Sequence, residues 1–149
     1  MPTITIAAKL TYNRLPDLAR ALPREAADAV DETIKSIEER IKVGMASGKS
    51  GQMYGSHRAS APGEMPAIDT SNLAGSIDSR MTGPAEGEVS AGAEYALYLE
   101  YGAARVADGS TDMGGVTSIL YPRPFMVPSA EAERPAFERR MRNLERLVR

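Results

Sequence analysis

The amino-acid sequence predicts a single domain of α+β fold, in which a small antiparallel sheet packs against a long amphipathic helix and a C-terminal helix, with long Gly-rich loops between them. Three patterns predict this class: an early segment of alternating apolar residues, a long apolar stripe at helical spacing, and a second such stripe near the end of the chain. The length of 149 residues is sufficient for one hydrophobic core.

The first two elements follow from periodicity. Residues Thr3–Tyr12 alternate apolar and polar side chains, which predicts a half-buried strand. Apolar residues then recur at steps of three or four over Leu15–Met45, which predicts a helix with one apolar face. Because proline disrupts a helix interior, we expect a short turn over Asp17–Leu22 and a long helix that begins with Pro23 in its first turn. That helix is expected to end near Met45–Ser47.

The segment 46–68 is rich in Gly, Ser, Pro and Ala and has no periodicity, which predicts a long loop. Loops of more than about 12–15 residues in a compact domain are usually functional or disordered. We therefore expect either a partner-docking arm or a segment that is flexible in the isolated protein. A second Gly-rich segment, 103–118, is expected to be flexible as well.

Between these two loops the sequence predicts a short helix and a hairpin. The helix is expected around Asp69–Ile77, capped by Asp69 or Thr70, with Leu73 facing inward. Two strands, Ser76–Thr82 and Gly87–Gly92, are joined by residues typical of a turn and form the hairpin.

The remaining elements lie in the C-terminal third of the chain. Helical spacing returns over Ala93–Tyr101, and Gly102 marks its end. Three prolines make Ile119–Val127 extended. The last helix is expected to begin near Ser129, which would cap it. Its apolar face comprises Ala130, Phe137, Met141, Leu144 and Val148.

The composition excludes several kinds of chemistry. The chain has no cysteine and one histidine, so disulfides, thiolate nucleophiles and Cys-based zinc sites are excluded. Gly48-Lys49-Ser50 imitates the end of a phosphate-binding loop, but Gly44 is one residue too close and a helix precedes it instead of a strand. We expect no catalytic residue, no metal and no cofactor. A hydrolase that uses Ser50 and His57 is one functional hypothesis, to be weighed against two others.

The chain is expected to be made in the cytoplasm. Hydrophobic residues make up 42% and charged residues 26% of it, as in ordinary globular proteins. Its apolar runs are only a few residues long, and the N-terminus lacks the basic start and apolar block of a signal peptide. These patterns predict neither a membrane span nor secretion.

Charge is distributed unevenly along the chain. The segment 134–149 carries six arginines and two glutamates, which gives it a net charge of +4. Because the whole chain has a net charge of −2, the rest of the chain has a net charge of −6. Basic residues near a helix C-terminus complement the helix dipole, but a basic helix can also bind nucleic acid. In a ring, the same pattern would pair the basic tail of one copy with the acidic body of its neighbour.

Three sequence blocks follow the long helix in order: Ser60–Leu73 with Ser76 and Ile77, then Glu94–Gly102, then Arg123–Ala130. Together they resemble the blocks "SAPGE.PA.DTG.L..SI", "YA.YVEFGT" and "RPFL.PA" of the neck and tail-completion proteins of tailed bacteriophages, a family of small tail components from HK-type siphophages. The chain departs from the pattern at three turn positions, which are Ser71, Gly75 and Ala103.

The resemblance implies a non-enzymatic structural subunit of a homo-oligomeric ring in the virion, with six or twelve copies. The ring would lie at the head–tail junction, as a neck, tail-completion or tail-terminator component. It would contact other head–tail connector and tail-tube proteins, and DNA would pass through its lumen. No membrane and no small-molecule substrate is implied.

We expect subunit contacts at four residues: Tyr98, Tyr101, Arg105 and Arg123. Tyrosine suits such a surface because it offers a large apolar area with a polar tip. Tyr95 is expected to be the buried tyrosine of the same block. A competing hypothesis of another class is a small DNA-binding protein that uses the Arg-rich last helix.

Overall fold

The computed structural model describes residues 6–9, 11–106 and 116–149, and the predicted α+β class is confirmed. Seven strands and five helices occur in these residues. The strands are β1 (Ile6–Lys9), β2 (Met53–Tyr54), β3 (His57–Arg58), β4 (Ile77–Gly83), β5 (Glu86–Ala91), β6 (Ala103–Val106) and β7 (Val116–Leu120). The helices are α1 (Leu15–Ala21), α2 (Pro23–Ala46), α3 (Asn72–Gly75), α4 (Ala96–Tyr101) and α5 (Met126–Val148).

The main sheet is antiparallel, with the strand order β1-β5-β4. One row across it joins Ile6, Ala91 and Ile77, which are all buried and face the helices. The predicted hairpin is confirmed as β4 and β5. Gly87 lets β5 approach α2 closely, because a Cβ atom there would lie 2.9 Å from Cδ1 of Ile34.

The long helix α2 is the central element of the core. It begins at Pro23 and ends at Ala46, as predicted, and its apolar stripe packs against both the sheet and α5. Ile34, Ile37 and Ile41 are almost wholly buried. Full burial of such a side chain stabilises a fold by about 1.5–3 kcal/mol, so this stripe contributes a large share of the folding free energy.

Several predicted boundaries are wrong, among them those of α1 and α5. The predicted turn over Asp17–Leu22 is instead mostly helical, because its residues up to Ala21 belong to α1. Helix α1 ends there because Leu22 leaves the helical conformation before Pro23. The last helix begins at Met126 instead of Ser129. Pro128 occupies the third position of α5, where a missing backbone N–H removes no helical hydrogen bond. Ser129 therefore lies inside the helix, with its hydroxyl buried.

The loops contain more structure than the sequence predicts. The segment 46–68 holds a small antiparallel hairpin, β2 with β3. The short helix spans only Asn72–Gly75, and Ser71, with φ of 61°, precedes it. Leu73 is buried as predicted. In the second Gly-rich segment β6 pairs with β7. Residues 1–5, 10 and 107–115, with the parts of the predicted strand and loop that they contain, lie outside the described residues.

Candidate interaction surface

Three tyrosines spaced three residues apart form a ridge along α4. Their side chains are exposed: Tyr95 by 38%, Tyr98 by 48% and Tyr101 by 61%. Residues three apart on a helix are neighbours on its surface, so the three rings follow one another, and we name them the tyrosine ridge. The expectation that Tyr95 is buried is wrong, because α4 begins at Ala96, three residues later than predicted, and turns Ala96 to the core instead.

A buried carboxylate holds this helix in place. Glu100 is only 3% exposed and accepts backbone hydrogen bonds from Phe125 at 2.8 Å, Met126 at 2.9 Å and Val127 at 2.9 Å. These three N–H groups are at the start of α5, where no preceding turn offers a carbonyl. A negative charge at this end also complements the helix dipole. Glu100 thus fixes α4, and with it the tyrosine ridge, to α5.

No pattern in the sequence predicted a role for Glu100. Its partners lie 25 to 27 residues further along the chain, so no local spacing reveals them. The one available signal was a carboxylate within the otherwise apolar run of α4.

Arg123 donates hydrogen bonds to backbone carbonyls of its own chain. Its Nε donates to the carbonyl of Ser60 at 3.2 Å and its guanidinium NH1 donates to the carbonyl of Tyr121 at 3.2 Å. Its backbone N–H donates to the carbonyl of Leu99 at 2.7 Å. Arg123 therefore joins the loop before α3 to α4. Two residues further on, Phe125 is fully buried and anchors the start of α5.

Arg105 lies on β6 opposite Ser118 of β7. This strand leaves α4 through Gly102, whose φ is +79°. A Cβ atom at Gly102 would lie 2.8 Å from the carbonyl oxygen of Leu120, so the turn requires glycine. The four predicted contact residues are thus placed around one short helix: two on α4, one on the strand after it, and one on the segment that hydrogen-bonds to it.

Two grooves lie at the two ends of the tyrosine ridge. The first groove has a volume of about 400 Å³. Among the residues that line it are Tyr95, Leu99, His57, Ser60, Leu73 and Arg123. The second groove, also of about 400 Å³, lies between β1 and α5. It is lined by all four residues of β1 and by Tyr101, Val127, Ala130 and Phe137, among others.

The segment 49–64, which we name the arm, is fastened at its base. The carboxylate of Glu64 accepts hydrogen bonds from the N–H of Ala61 at 2.8 Å, from the N–H of Ser50 at 3.2 Å and from the Ser50 hydroxyl. The Ser50 hydroxyl above all, and then the two backbone groups, lower the pKa of Glu64 to about 2. Further along, Gly51 donates to Ala59 at 3.0 Å. At the tip of the arm, Met53 and Tyr54 are exposed.

The serine–histidine hypothesis receives no geometric support. The Ser50 hydroxyl donates to Glu64, and the Ser47 hydroxyl donates to the carbonyl of Gly44 at 2.7 Å. Within residues 6–9, 11–106 and 116–149, no hydrogen bond links His57 to a serine, and no group of three or more acidic or histidine side chains is placed to hold a metal ion. No helix in the same ranges is long and apolar enough to cross a membrane.

Fold and surface together define a small α+β protein with an exposed aromatic ridge held by a buried carboxylate. The family model of the HK97-gp10-like bacteriophage tail components matches residues 11–102. This match covers more than half of the chain, and the chain belongs to that family. The predicted resemblance is therefore confirmed, and two of its three blocks, Ser60–Ile77 and Glu94–Gly102, lie within the matched residues. No curated protein and no solved structure shows a significant match.

Membership makes the chain a bacteriophage tail component that associates with other proteins of the virion. Phe125 and the start of α5, to which Glu100 is bound, lie beyond the matched residues.

Proposed function

We propose that this tail component is a structural subunit of a homo-oligomeric ring at the head–tail junction, where it joins head to tail and lets DNA pass through the lumen. The observation that carries the proposal is the tyrosine ridge. Its three rings are exposed although aromatic residues make up only 5% of the chain. Tyrosine is enriched in protein–protein interfaces because it combines a large apolar area with a hydroxyl that tolerates water.

The apolar surface extends beyond α4. Ile119 and Tyr121, near the end of β7, and Val127, in the first turn of α5, are each about half exposed. Tyr101 and Val127 line the second groove together, so the surface continues from one element to the next. Exposed apolar side chains that share a groove, as Tyr101 and Val127 do, are typical of a surface that a partner covers.

Rigidity supports the same proposal. Glu100 binds the start of α5, and Arg123 binds both α4 and the arm, so the ridge is held by hydrogen bonds from two directions. A surface that is already ordered loses less conformational entropy on assembly. We propose that Tyr98 and Tyr101 make the subunit contact and that Arg123 positions the surface behind them, with Arg105 on the adjoining strand.

The charges of α5 favour this function over a DNA-binding helix. Arg140 pairs with Glu32 at 2.9 Å and with Glu133 at 3.4 Å. Two further arginines of the helix also pair with carboxylates: Arg134 with Glu131 at 3.1 Å and Arg142 with Glu138 at 3.6 Å. Half of the six C-terminal arginines are thus neutralised within the chain, which reduces the positive charge available to phosphates. An acidic body also suits a lumen that DNA must cross without being held.

The test is the mass of the full-length protein in solution and in assembled particles, measured by light scattering and native mass spectrometry. The wild-type chain is expected to form a closed oligomer of six or twelve copies. The double variant Tyr98→Ser/Tyr101→Ser is expected to remain folded, with an unchanged circular dichroism spectrum, but to be monomeric. Val43→Ser is the matched control, because Val43 is exposed to the same 61% as Tyr101 but lies on α2.

A wild-type chain that is monomeric both in solution and in particles would refute the proposal. Unchanged assembly of the double tyrosine variant would refute the assigned contact. Tight, salt-dependent binding of the isolated chain to duplex DNA, abolished by Arg139→Glu/Arg146→Glu, would support the DNA-binding function instead.

A further inference from the structure

We propose that the arm of one copy docks in the second groove of the next copy, beside the open edge of β1. This inference rests on the proposed ring and names the two surfaces that meet in it. A ring built from identical subunits needs two different patches on each copy, one for each neighbour. The arm and the second groove supply such a pair.

The second groove follows an open strand edge. In the described part of the chain β1 pairs only with β5, so its other edge has backbone N–H and C=O groups without a strand partner. All four residues of β1 line the groove. A strand edge of this kind can accept an extended segment of another chain as an additional strand. Two cations that line the groove, Lys9 of β1 and Arg134 of α5, would oppose a cationic partner.

The opposite wall of the groove is apolar in its middle and carries ion-paired carboxylates at its rim. Tyr101, Val127 and Ala130 provide the apolar surface. Glu131 and Glu138 also line the groove, and their side chains are 59% and 43% exposed. Their arginine partners, Arg134 on this wall and Arg142 beside it, are more than half exposed, so both carboxylates can accept a second cation.

The arm offers an extended apolar tip without carboxylates for this wall. Its β2–β3 hairpin is extended and exposes Met53 and Tyr54 near the tip. From Lys49 to Gly63 the arm contains no carboxylate, and Arg58 is exposed next to the apolar tip. Apolar side chains can therefore enter the groove while Arg58 approaches Glu131 or Glu138 at its rim. Because Glu64 already fastens the base of the arm, docking orders few additional residues.

The positions of the two patches suit a head-to-tail contact. His57, Ala59 and Ser60 place the arm beside the first groove, at the Tyr95 end of the ridge. The second groove is at the Tyr101 end. The helix between them has six residues and is about 9 Å long at 1.5 Å per residue. Docking an arm in the second groove of the next copy would thus cover the tyrosine ridge between the two contacts.

Cross-linking tests this contact cleanly because the chain contains no cysteine. We would combine Ser56→Cys, at the turn of the arm, with Ala130→Cys, in the second groove, and treat the oligomer and the assembled particles with a short bismaleimide. The expected product is a ladder of covalent oligomers that ends at the ring size. A mixture of the two single-cysteine chains is expected to give a covalent dimer and nothing larger. Ser56→Cys with Val43→Cys is the control pair and is expected to give no ladder.

An intact oligomer that yields no Ser56–Ala130 cross-link, or that cross-links the control pair instead, would overturn the inference and leave the proposed ring in place. Cross-linking confined to single chains would overturn it as well. Absence of any oligomer, alone or in particles, would refute the proposed function and the arm contact together. As a second variant that leaves the cysteine positions unchanged, Met53→Ser/Tyr54→Ser is expected to reduce the yield of the ladder at least tenfold.

Discussion

The carboxylate of Glu100 accepts the backbone N–H of Phe125 at 2.8 Å, 25 positions further along the chain. Both groups are buried, and the same carboxylate binds the next two N–H groups. Helix α5 has no other N-terminal cap, because Phe125 precedes it and makes no side-chain cap hydrogen bond. The cap of one helix is therefore supplied by another helix, the one that carries the tyrosine ridge.

Glu100→Ala is expected to lower the free energy of unfolding by about 3 kcal/mol, because it leaves two buried N–H groups and one partly buried N–H group without a partner and removes hydrogen bonds to a charged acceptor. For a chain of this size the melting temperature would fall by about 6–12 °C. Urea denaturation followed by circular dichroism measures the change. Glu94→Ala, at an exposed position of the same segment, is the control and is expected to stay within about 0.5 kcal/mol of wild type. Equal stabilities of the two variants would contradict the capping role.

Gly102→Ala is expected to destabilise the protein by about 2 kcal/mol or more. At φ of +79° an alanine is strained, and its Cβ would lie 2.8 Å from the carbonyl oxygen of Leu120 and 3.0 Å from Cδ of Pro122. Gly48→Ala provides the comparison, because no atom lies within 4 Å of a Cβ there and Gly48 has no positive φ. Thermal unfolding of both variants tests the prediction. A Gly102→Ala protein as stable as Gly48→Ala would show that the turn after α4 accepts other conformations.

The base of the arm is expected to loosen in acid. Hydrogen bonds from Ser50 and Ala61 lower the pKa of Glu64 to about 2 from an ordinary value of 4.5. A lowered pKa means that the carboxylate stabilises the folded arm fully above about pH 4.5, and that this contribution is lost as the pH falls through about 2. The amide NMR signals of Ser50 and Ala61 should titrate with a midpoint near pH 2. Glu64→Gln should remove that titration. A wild-type midpoint near pH 4.5 would refute the hydrogen bonds from Ser50 and Ala61 to Glu64.

Local patterns were sufficient to predict the main elements. The apolar stripe over Leu15–Met45 predicted α2 with the correct first residue, because a helix accommodates a proline such as Pro23 only within its first turn. The hairpin of β4 and β5 followed from two alternating segments and the turn residues between them. Each of these signals comes from residues that are close in sequence.

The errors concern relations between distant residues. No spacing within the Tyr95–Gly102 block indicates that Glu100 binds the start of α5, and the orientation of Tyr95 depends on where α4 begins. The prolines predicted an extended segment over Ile119–Val127, but Glu100 binds the N–H groups just before Pro128 and the helix begins at Met126. The sequence thus indicated the tyrosines of the candidate surface but not Glu100, the residue that holds their helix in place.

Pro135→Ala is expected to stabilise the protein, because Pro135 lies inside α5. A proline at an interior position removes one helical hydrogen bond and clashes with the carbonyl four residues before it, at a cost of about 3 kcal/mol relative to alanine. Part of that cost is offset by the lower entropy of the unfolded chain, so we expect a gain of about 1–2 kcal/mol in urea denaturation. Pro62→Ala, in the arm, lacks the helical term and serves as the control, with no gain expected. A Pro135→Ala protein less stable than wild type would mean that Pro135 itself is needed for α5 to pack against α2.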